Sequence, residues 1–122
     1  MTKKRTKKGP TLTPAAWTRL QPFLYRKESR QRVILYLVAS GYTLAEIIAL
    51  TPDELRRIPV HPDMEVYVGE TLLQRKGQRA FAFPTGAPLT PAYLYRLVRS
   101  TSRLRTGKAM SEDQLRQFIC ST

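Results

Sequence analysis

The chain has 122 residues, of which 42% are hydrophobic and 25% charged. This length fits one domain with one modest core, and the hydrophobic share excludes a chain that is disordered throughout. No apolar stretch approaches the roughly 20 residues of a membrane-spanning helix, and the basic start lacks the apolar region of a signal peptide. A single cysteine, Cys120, excludes an internal disulfide and favours a reducing cytoplasm. With one histidine and one cysteine, we expect no metal site and no cofactor. We expect a cytoplasmic protein that does not associate with a membrane.

The charge is strongly basic, since 21 Lys and Arg against 9 Asp and Glu give a net charge of +12. Such an excess favours a polyanionic partner, nucleic acid before membrane. Five of the bases lie in the first eight residues, but the rest of the chain remains basic without them. The alternative is a soluble, arginine-rich surface that has no such partner.

Residues 1–11 show no apolar periodicity and contain Gly9-Pro10, which predicts a flexible basic arm before one domain over residues 12–122. Such arms supply sequence-independent phosphate contacts or enter a minor groove. An unstructured, solubilising end is the alternative. The candidate DNA contacts of the arm are Lys3, Lys4, Arg5, Lys7 and Lys8.

The domain is organised around residues 31–55. Seven consecutive apolar residues, 33–39, indicate a segment buried on most sides, and Gly41 behind them suits the left-handed end of a helix. The sequence TLAE at 43–46 then predicts a short capped helix, and TPDE at 51–54 predicts a further capped turn. Upstream, Thr13-Pro14 predicts an earlier helix whose apolar face carries Trp17, Leu20, Phe23 and Leu24, and residues 25–30 read as a charged link.

The segment after Leu55 is less regular. Two prolines within residues 56–62 predict an extended edge segment. Residues 63–74 fit either a helix or a strand, and we favour a helix that ends near Gly77. Residues 79–83, RAFAF, alternate like a short strand and precede a turn at 84–86. The predicted fold is therefore mainly α with a small β element, an α+β class.

A helix that begins at Thr90-Pro91 has two distinct faces. One face is apolar and carries Leu94, Leu97, Val98, Thr101 and Leu104, whereas the other carries Ala92, Tyr95, Arg96, Arg99 and Arg103 without any acid. A helix fits the major groove of DNA, where Arg reads guanine edges and Tyr reaches phosphate. A solvated face is the alternative, although such faces usually include Glu or Asp. A basic loop at 105–108 and a capping box of Ser111 with Gln114 then lead into a last helix.

Four stretches, in order, resemble the catalytic domain of the tyrosine recombinases, the phage-integrase family. SGYTLAEIIALTPDEL aligns without a gap with that family's T-G-L-R-x-S-E-L-x-x-L-x-x-x-D-I box. LTPAAW resembles the L-T-x-E-E start of the domain, and FAFPTGAPLTPAYLYRLVRS resembles its stretch around P-x-x-G-x-P-L-T. SEDQLRQFICS resembles the H-x-L-R-H-x-x-A-T box. The resemblance spans residues 12–122 and implies a recombinase-like fold that lacks the family's C-terminal helices.

The departures from the family pattern imply that the protein is not an enzyme. The first catalytic arginine falls on Thr43, and the histidine positions on either side of Arg116, which matches the second arginine, hold Asp113 and Gln117. The chain also ends before the family's nucleophilic tyrosine. Strand cleavage needs that tyrosine to attack phosphorus while two arginines and a lysine stabilise the developing charge. An enzyme completed by a second chain is disfavoured by Thr43.

The hairpin lysine of the family has two possible alignments. One places it at Lys76, within RKGQR at 75–79, whereas the other matches residues 57–62 to the strand after the hairpin and loses most of the hairpin. We prefer the second alignment. Arg116 is expected to contact a phosphate without cutting it, or else to pair with Glu112 or Asp113 on its own helix. The candidate DNA contacts of the domain are Arg75, Lys76, Tyr95, Arg96, Arg99, Arg103, Arg105 and Arg116.

The predicted function is that of a non-catalytic protein that binds double-stranded DNA. The resemblance implies that the helix matching residues 90–103 lies against the major groove. Such a protein would regulate or assist transcription, transfer or recombination of a phage or plasmid. Loss of the C-terminal helices predicts an exposed apolar patch and self-association, as a dimer. The alternative is an interaction partner or inhibitor of an intact tyrosine recombinase.

Overall fold

The computed structural model describes residues 12–74, 77–83 and 85–120, and most of these residues are helical. The helices are α1 (Pro14–Leu24), α2 (Ser29–Ala39), α3 (Leu44–Ala49), α4 (Pro52–Arg57), α5 (Glu65–Gln74), α6 (Pro91–Thr106) and α7 (Glu112–Cys120). A 3₁₀ turn at Pro62–Met64 precedes α5. The predicted arm at 1–11, with its five bases, lies outside the described residues, as do Arg75 and Lys76.

The predicted helix starts are confirmed by their caps. In α3, the Thr43 hydroxyl accepts from the Glu46 N–H at 3.1 Å while the Glu46 carboxylate accepts from the Thr43 N–H at 2.9 Å. The same reciprocal pair forms at residues 51 and 54 before α4 and at residues 111 and 114 before α7. Single threonine caps open α1 and α6. Each cap satisfies backbone donors that the first turn of a helix leaves unpaired.

Helix α2 is the centre of the core. Its residues Val33 to Ala39 are all buried, as the continuous apolar run predicts, and α1, α5 and α7 pack around it. Gly41, with φ 106°, then turns the chain, and the Tyr42 N–H donates to the Leu37 carbonyl at 3.0 Å. The central helix and its tight corner are therefore confirmed.

The strand predicted at residues 79–83 does not form. Within the described residues, β structure is limited to an isolated antiparallel bridge between Ala82 and Pro88. The segment instead closes the end of α3, because the Ala80 N–H donates to the Leu50 carbonyl at 2.9 Å and Arg79 Nη1 donates to the Ala49 carbonyl at 3.0 Å. The first of these bonds occupies a backbone donor that a strand partner would need. The fold is mainly α, with less β structure than predicted.

Two predicted boundaries are also wrong. The link predicted at 25–30 ends earlier, because Ser29 and Arg30 belong to α2, whose first turn is closed by the Glu28 N–H donating to Gln31 Oε1 at 3.3 Å. The extended segment predicted at 56–62 begins only after Arg57, because the capped turn before it extends to a full helix, α4. The helix favoured for residues 63–74 is confirmed as α5. No helix in the described part of the chain combines the length and the apolar character that crossing a bilayer requires.

Tyr36 joins the core to the turn before α5, and we expect Tyr36→Phe to lower the free energy of unfolding by about 1–2 kcal/mol at neutral pH. The ring is fully buried, and the hydroxyl accepts from the His61 N–H at 3.0 Å, a donor that the variant leaves unpaired. Urea unfolding of both proteins measures the loss.

Ionisation of the Tyr36 hydroxyl makes the stability difference between wild type and Tyr36→Phe depend on pH. Burial raises the pKa of Tyr36 above its ordinary value of 10.0, although the bond from His61 opposes this. The unfolded chain therefore ionises this tyrosine first, and the contribution of Tyr36 to stability is lost as pH rises above 10.0. The stability difference between wild type and Tyr36→Phe should narrow at about pH 11. An unchanged difference would contradict this assignment.

Candidate nucleic-acid interface

Helix α6 is a rigid platform with well-defined ends. The Thr90 hydroxyl accepts from the Tyr93 N–H at 3.1 Å at its start, and Gly107, with φ 82°, ends it by donating to the Arg103 carbonyl at 2.8 Å. Its inner side is buried against α1, α3 and α7 through Leu94, Leu97, Val98, Thr101 and Ser102. The 16 residues of α6 span about 24 Å.

Tyr95, Arg96, Arg99 and Arg103 lie together on the outer side of α6 and are termed the α6 face. Arg96 and Arg103 are exposed, Arg99 is half-buried, and Tyr95 is 49% exposed. Arg99 Nη1 donates to the Tyr95 hydroxyl at 3.2 Å, and its guanidinium lies 5.2 Å from the centre of the tyrosine ring. The structure therefore brings these four predicted residues onto one surface, and their contact with DNA stays a prediction.

The positive charge of the α6 face is not neutralised within the described residues. None of its arginines pairs with a carboxylate in residues 12–74, 77–83 and 85–120, whereas Arg30, Arg56 and Arg116 do form such pairs. An anion can approach the face without first breaking an ion pair. Phosphate binding there costs less free energy than at a paired arginine.

Leu104 was predicted on the inner side of α6 but is 69% exposed. The last turn of the helix extends past the core, and Ser102 takes the inward position there. The Ser102 hydroxyl donates to the Val98 carbonyl at 2.9 Å and accepts from the Met110 N–H at 2.8 Å. This polar contact closes the end of the core where an apolar side chain was expected.

Arg105 is separate from the α6 face. It follows Arg99 by six residues, which places it roughly 120° around the helix axis. Its guanidinium lies 5.3 Å from the centre of the Tyr25 ring, at the corner between α1 and α2, and Arg26 lies 5.4 Å from the same ring. Sequence reasoning grouped Arg105 with the other candidates and missed Tyr25, Arg26 and Lys27. The signal that could have found them is the run YRK directly after an amphipathic helix.

Arg116 is held by intramolecular contacts at the C-terminal end of α2. Its Nε donates to the Val38 carbonyl at 3.0 Å and its Nη2 to the Tyr42 carbonyl at 3.2 Å. Nη1 donates to Asp113 Oδ1 at 2.8 Å, and Glu112 Oε2 lies 3.7 Å from Nη2. The ion-paired alternative is thus the one that forms, and a positive charge suits the carbonyl end of a helix. Arg116 connects α7 with α2 and is not part of the α6 face.

The positions that the resemblance aligns with catalytic residues of tyrosine recombinases lie close together. Tyr42, whose carbonyl Arg116 contacts, immediately precedes Thr43. Thr43 is exposed and serves as the cap of α3, Asp113 is paired with Arg116, and Gln117 is exposed. At this point in the fold, the side chains therefore have structural roles or face solvent.

An open groove of about 540 Å³ lies beside α1 and α5 and includes Trp17, Tyr25, Arg32 and Tyr67 among its lining residues. Two of its aromatic rings already contact other side chains of the protein. His61 stacks on Trp17 with ring centres 4.2 Å apart, and the Arg32 guanidinium lies 4.6 Å from the centre of the Tyr67 ring. The groove therefore has few free ring faces on which a ligand could stack.

Comparison of the chain with protein-family models, with curated proteins and with solved structures finds no match. The function of this surface is therefore inferred from the residues themselves.

Proposed function

We propose that the protein binds double-stranded DNA without cutting it and that the α6 face enters the major groove. The observation that carries the proposal is the set of three arginines and one tyrosine along the outer side of one helix, unpaired with any carboxylate among the described residues. Arginine pairs bidentately with guanine edges and with phosphates, and tyrosine donates to phosphate oxygens.

The dimensions of α6 support this placement. An α-helix with its side chains is about 10–12 Å wide, and the major groove is about 12 Å wide. From Tyr95 to Arg103 the α6 face extends about 12 Å along the helix, which matches three to four base pairs at about 3.4 Å each. The contact of Arg99 with Tyr95 restrains one guanidinium before DNA arrives, which reduces the ordering cost of binding.

The resemblance to tyrosine recombinases supports the same proposal, together with a recombinase-like fold. The positions that match the two catalytic arginines of that family, Thr43 and Arg116, are neighbours through the Tyr42 carbonyl. Thr43 has no guanidinium, and the Arg116 guanidinium donates to backbone carbonyls and to a carboxylate of its own helix. This combination suits a domain that kept its DNA-binding surface and lost strand cleavage. Its role is to regulate or assist transcription, transfer or recombination of a phage or plasmid, at the nucleoid.

A second candidate is association with a protein, either a second copy of the chain or an intact recombinase. Large apolar side chains are exposed on three helices: Val66 and Leu73 on α5, Leu104 on α6 and Phe118 on α7. Exposed apolar groups of this kind supply the contact area of protein interfaces. Binding to a recombinase that survives charge reversal of Arg96 and Arg99 would favour this candidate.

An equilibrium titration against duplex fragments from the protein's own genetic element tests the proposal. We expect one fragment to bind about 10³-fold more tightly than bulk DNA, a ratio typical of site-specific proteins. The affinity should fall steeply with salt, because several phosphates release their counterions. Equal affinity for all fragments would mean that the protein binds DNA without sequence specificity. Absence of any duplex binding at low salt would refute the proposal.

A further inference from the structure

Tyr25 is the centre of a basic cluster at the corner between α1 and α2. Its ring is 57% exposed and lies beside the guanidinium groups of Arg26 and Arg105, at 5.4 and 5.3 Å from the ring centre. Arg105 comes from the last turn of α6, so the cluster joins two helix ends that are distant in sequence. The ring holds two positive groups next to each other that would otherwise repel.

Lys27 adds a third positive charge to the cluster. Lys27 directly follows Arg26 in the chain, and burial, and after it the charge of Arg105, lower the pKa of its ammonium group. No carboxylate of the described residues pairs with Arg26, Lys27 or Arg105. The adjacent Glu28 lies 3.5 Å from Arg30 instead. The carbonyl ends of α1 and α6 offset part of this repulsion, but each contributes only about half a charge, so an excess of positive charge remains.

The backbone at this corner is strained and firmly held. In the described part of the chain, Arg26 is the one residue other than glycine with a positive φ, 63°, a conformation that costs about 1 kcal/mol for most side chains. Two bonds fix it: the Lys27 N–H donates to the Leu24 carbonyl at 3.1 Å, and the Lys27 carbonyl accepts from Arg32 Nε at 2.9 Å. Glycine or asparagine would fit more easily. Backbone positions held in such a conformation cluster at ligand-binding and other functional sites.

We propose that Tyr25, Arg26, Lys27 and Arg105 form a second DNA contact, which binds a backbone phosphate of the same duplex beside the groove that α6 occupies. This inference rests on the proposed function. Arg105 lies about 3 Å along the axis beyond the end of the α6 face and roughly 120° around the axis from Arg99, so it lies on the flank of the helix. A helix in the major groove has the sugar-phosphate backbone along both borders of the groove, so a basic group on its flank meets phosphate. Such a contact adds affinity and fixes orientation without reading sequence.

The salt dependence of binding tests this inference. The test variant is Arg26→Asn/Arg105→Gln, in which asparagine tolerates the positive φ and both charges are removed. The matched control is Arg56→Gln/Arg57→Gln, which removes the same charge from exposed positions in the last turn of α4. Fluorescence anisotropy with the best-binding duplex gives the slope of log Kd against log salt for each protein. We expect the test variant to lose about 0.9 from this slope, the value for one phosphate contact, and the control to keep the wild-type slope.

Each other outcome is also informative. Equal slopes in wild type and test variant, or an equal loss in the control, would overturn the inference while leaving DNA binding by α6 intact. Failure of the wild type to bind any duplex would remove the proposed function and this inference together. Should the double variant not fold, Arg105→Gln alone gives the same readout, because its side chain is exposed at the end of α6.

Discussion

Reversing two charges on the α6 face, in Arg96→Glu/Arg99→Glu, is expected to weaken binding to the best duplex by about 100-fold or more. A good bidentate contact between arginine and a base contributes about 1–3 kcal/mol of discrimination, and tenfold in Kd corresponds to about 1.4 kcal/mol. The two substitutions remove two such contacts and add repulsion from phosphate. The fold should survive, because both side chains lie on the outer side of α6 and Arg99 loses only its contact with Tyr95. Anisotropy titration measures the loss, and circular dichroism verifies the fold.

A charge-matched control separates a local contact from net charge. Arg56→Glu/Arg57→Glu makes the same change of charge in the last turn of α4, where Arg56 is 53% exposed, and should weaken binding far less. Equal losses in the two variants would mean that net charge alone drives binding. If Arg96→Glu/Arg99→Glu binds DNA as well as wild type, residues 1–11 rather than the α6 face supply the DNA contact. Deletion of that segment would then abolish binding.

Arg96→Lys/Arg99→Lys adds a test of specificity. Lysine keeps the charge but lacks the planar fork of donors that reads guanine. This variant should keep its affinity for bulk DNA and lose its preference for the best fragment.

Replacing Arg116 with alanine is expected to lower the free energy of unfolding by about 2–4 kcal/mol and to leave DNA affinity unchanged. The side chain is 25% exposed and gives the Val38 and Tyr42 carbonyls a charged donor at the C-terminal end of α2. Its loss also leaves Glu112 and Asp113 without their partner, two carboxylates on neighbouring positions of α7. Urea unfolding monitored by circular dichroism gives the change in stability.

Arg56→Ala is the matched control for this stability measurement. Arg56 pairs with Asp53 at the same spacing along a helix and at nearly the same distance, 2.7 Å against 2.8 Å, but both partners are exposed. Exposed pairs contribute about 0–1 kcal/mol, so the control should lose little. Similar losses in both variants would show that the carbonyl contacts of Arg116 contribute little. A folded Arg116→Ala that binds DNA as weakly as the α6 variant would return Arg116 to the interface.

The sequence predicts this fold best where the chemistry is local. Caps such as that of Thr43 depend on residues three positions apart, and the burial of α2 follows from one continuous apolar run. The strand predicted at 79–83 fails because a strand needs a partner elsewhere in the chain, and alternation of side chains does not reveal one. Here the end of α3 provides the hydrogen bonds instead.

The candidate site divides in the same way. The α6 face follows from helical periodicity within a single segment, so its residues could be predicted together. Arg105 and Tyr25 meet only through the packing of α6 against α1, and the sequence between them carries no sign of it. For Arg116 the sequence favours the phosphate contact over the ion pair, because the carbonyls that hold it, those of Val38 in α2 and Tyr42 in the corner after it, are distant in sequence.

The separation of the two sides of α6 has a consequence for evolution and for design. The side chains that hold the helix in place are Leu94, Leu97 and Val98, and none of them belongs to the α6 face. Residues 95, 96, 99 and 103 can therefore be exchanged without opening a cavity in the core. A lineage of such proteins could change its preferred DNA sequence in a few substitutions at almost constant stability. A library randomised at these four positions would explore new specificities on an unchanged scaffold.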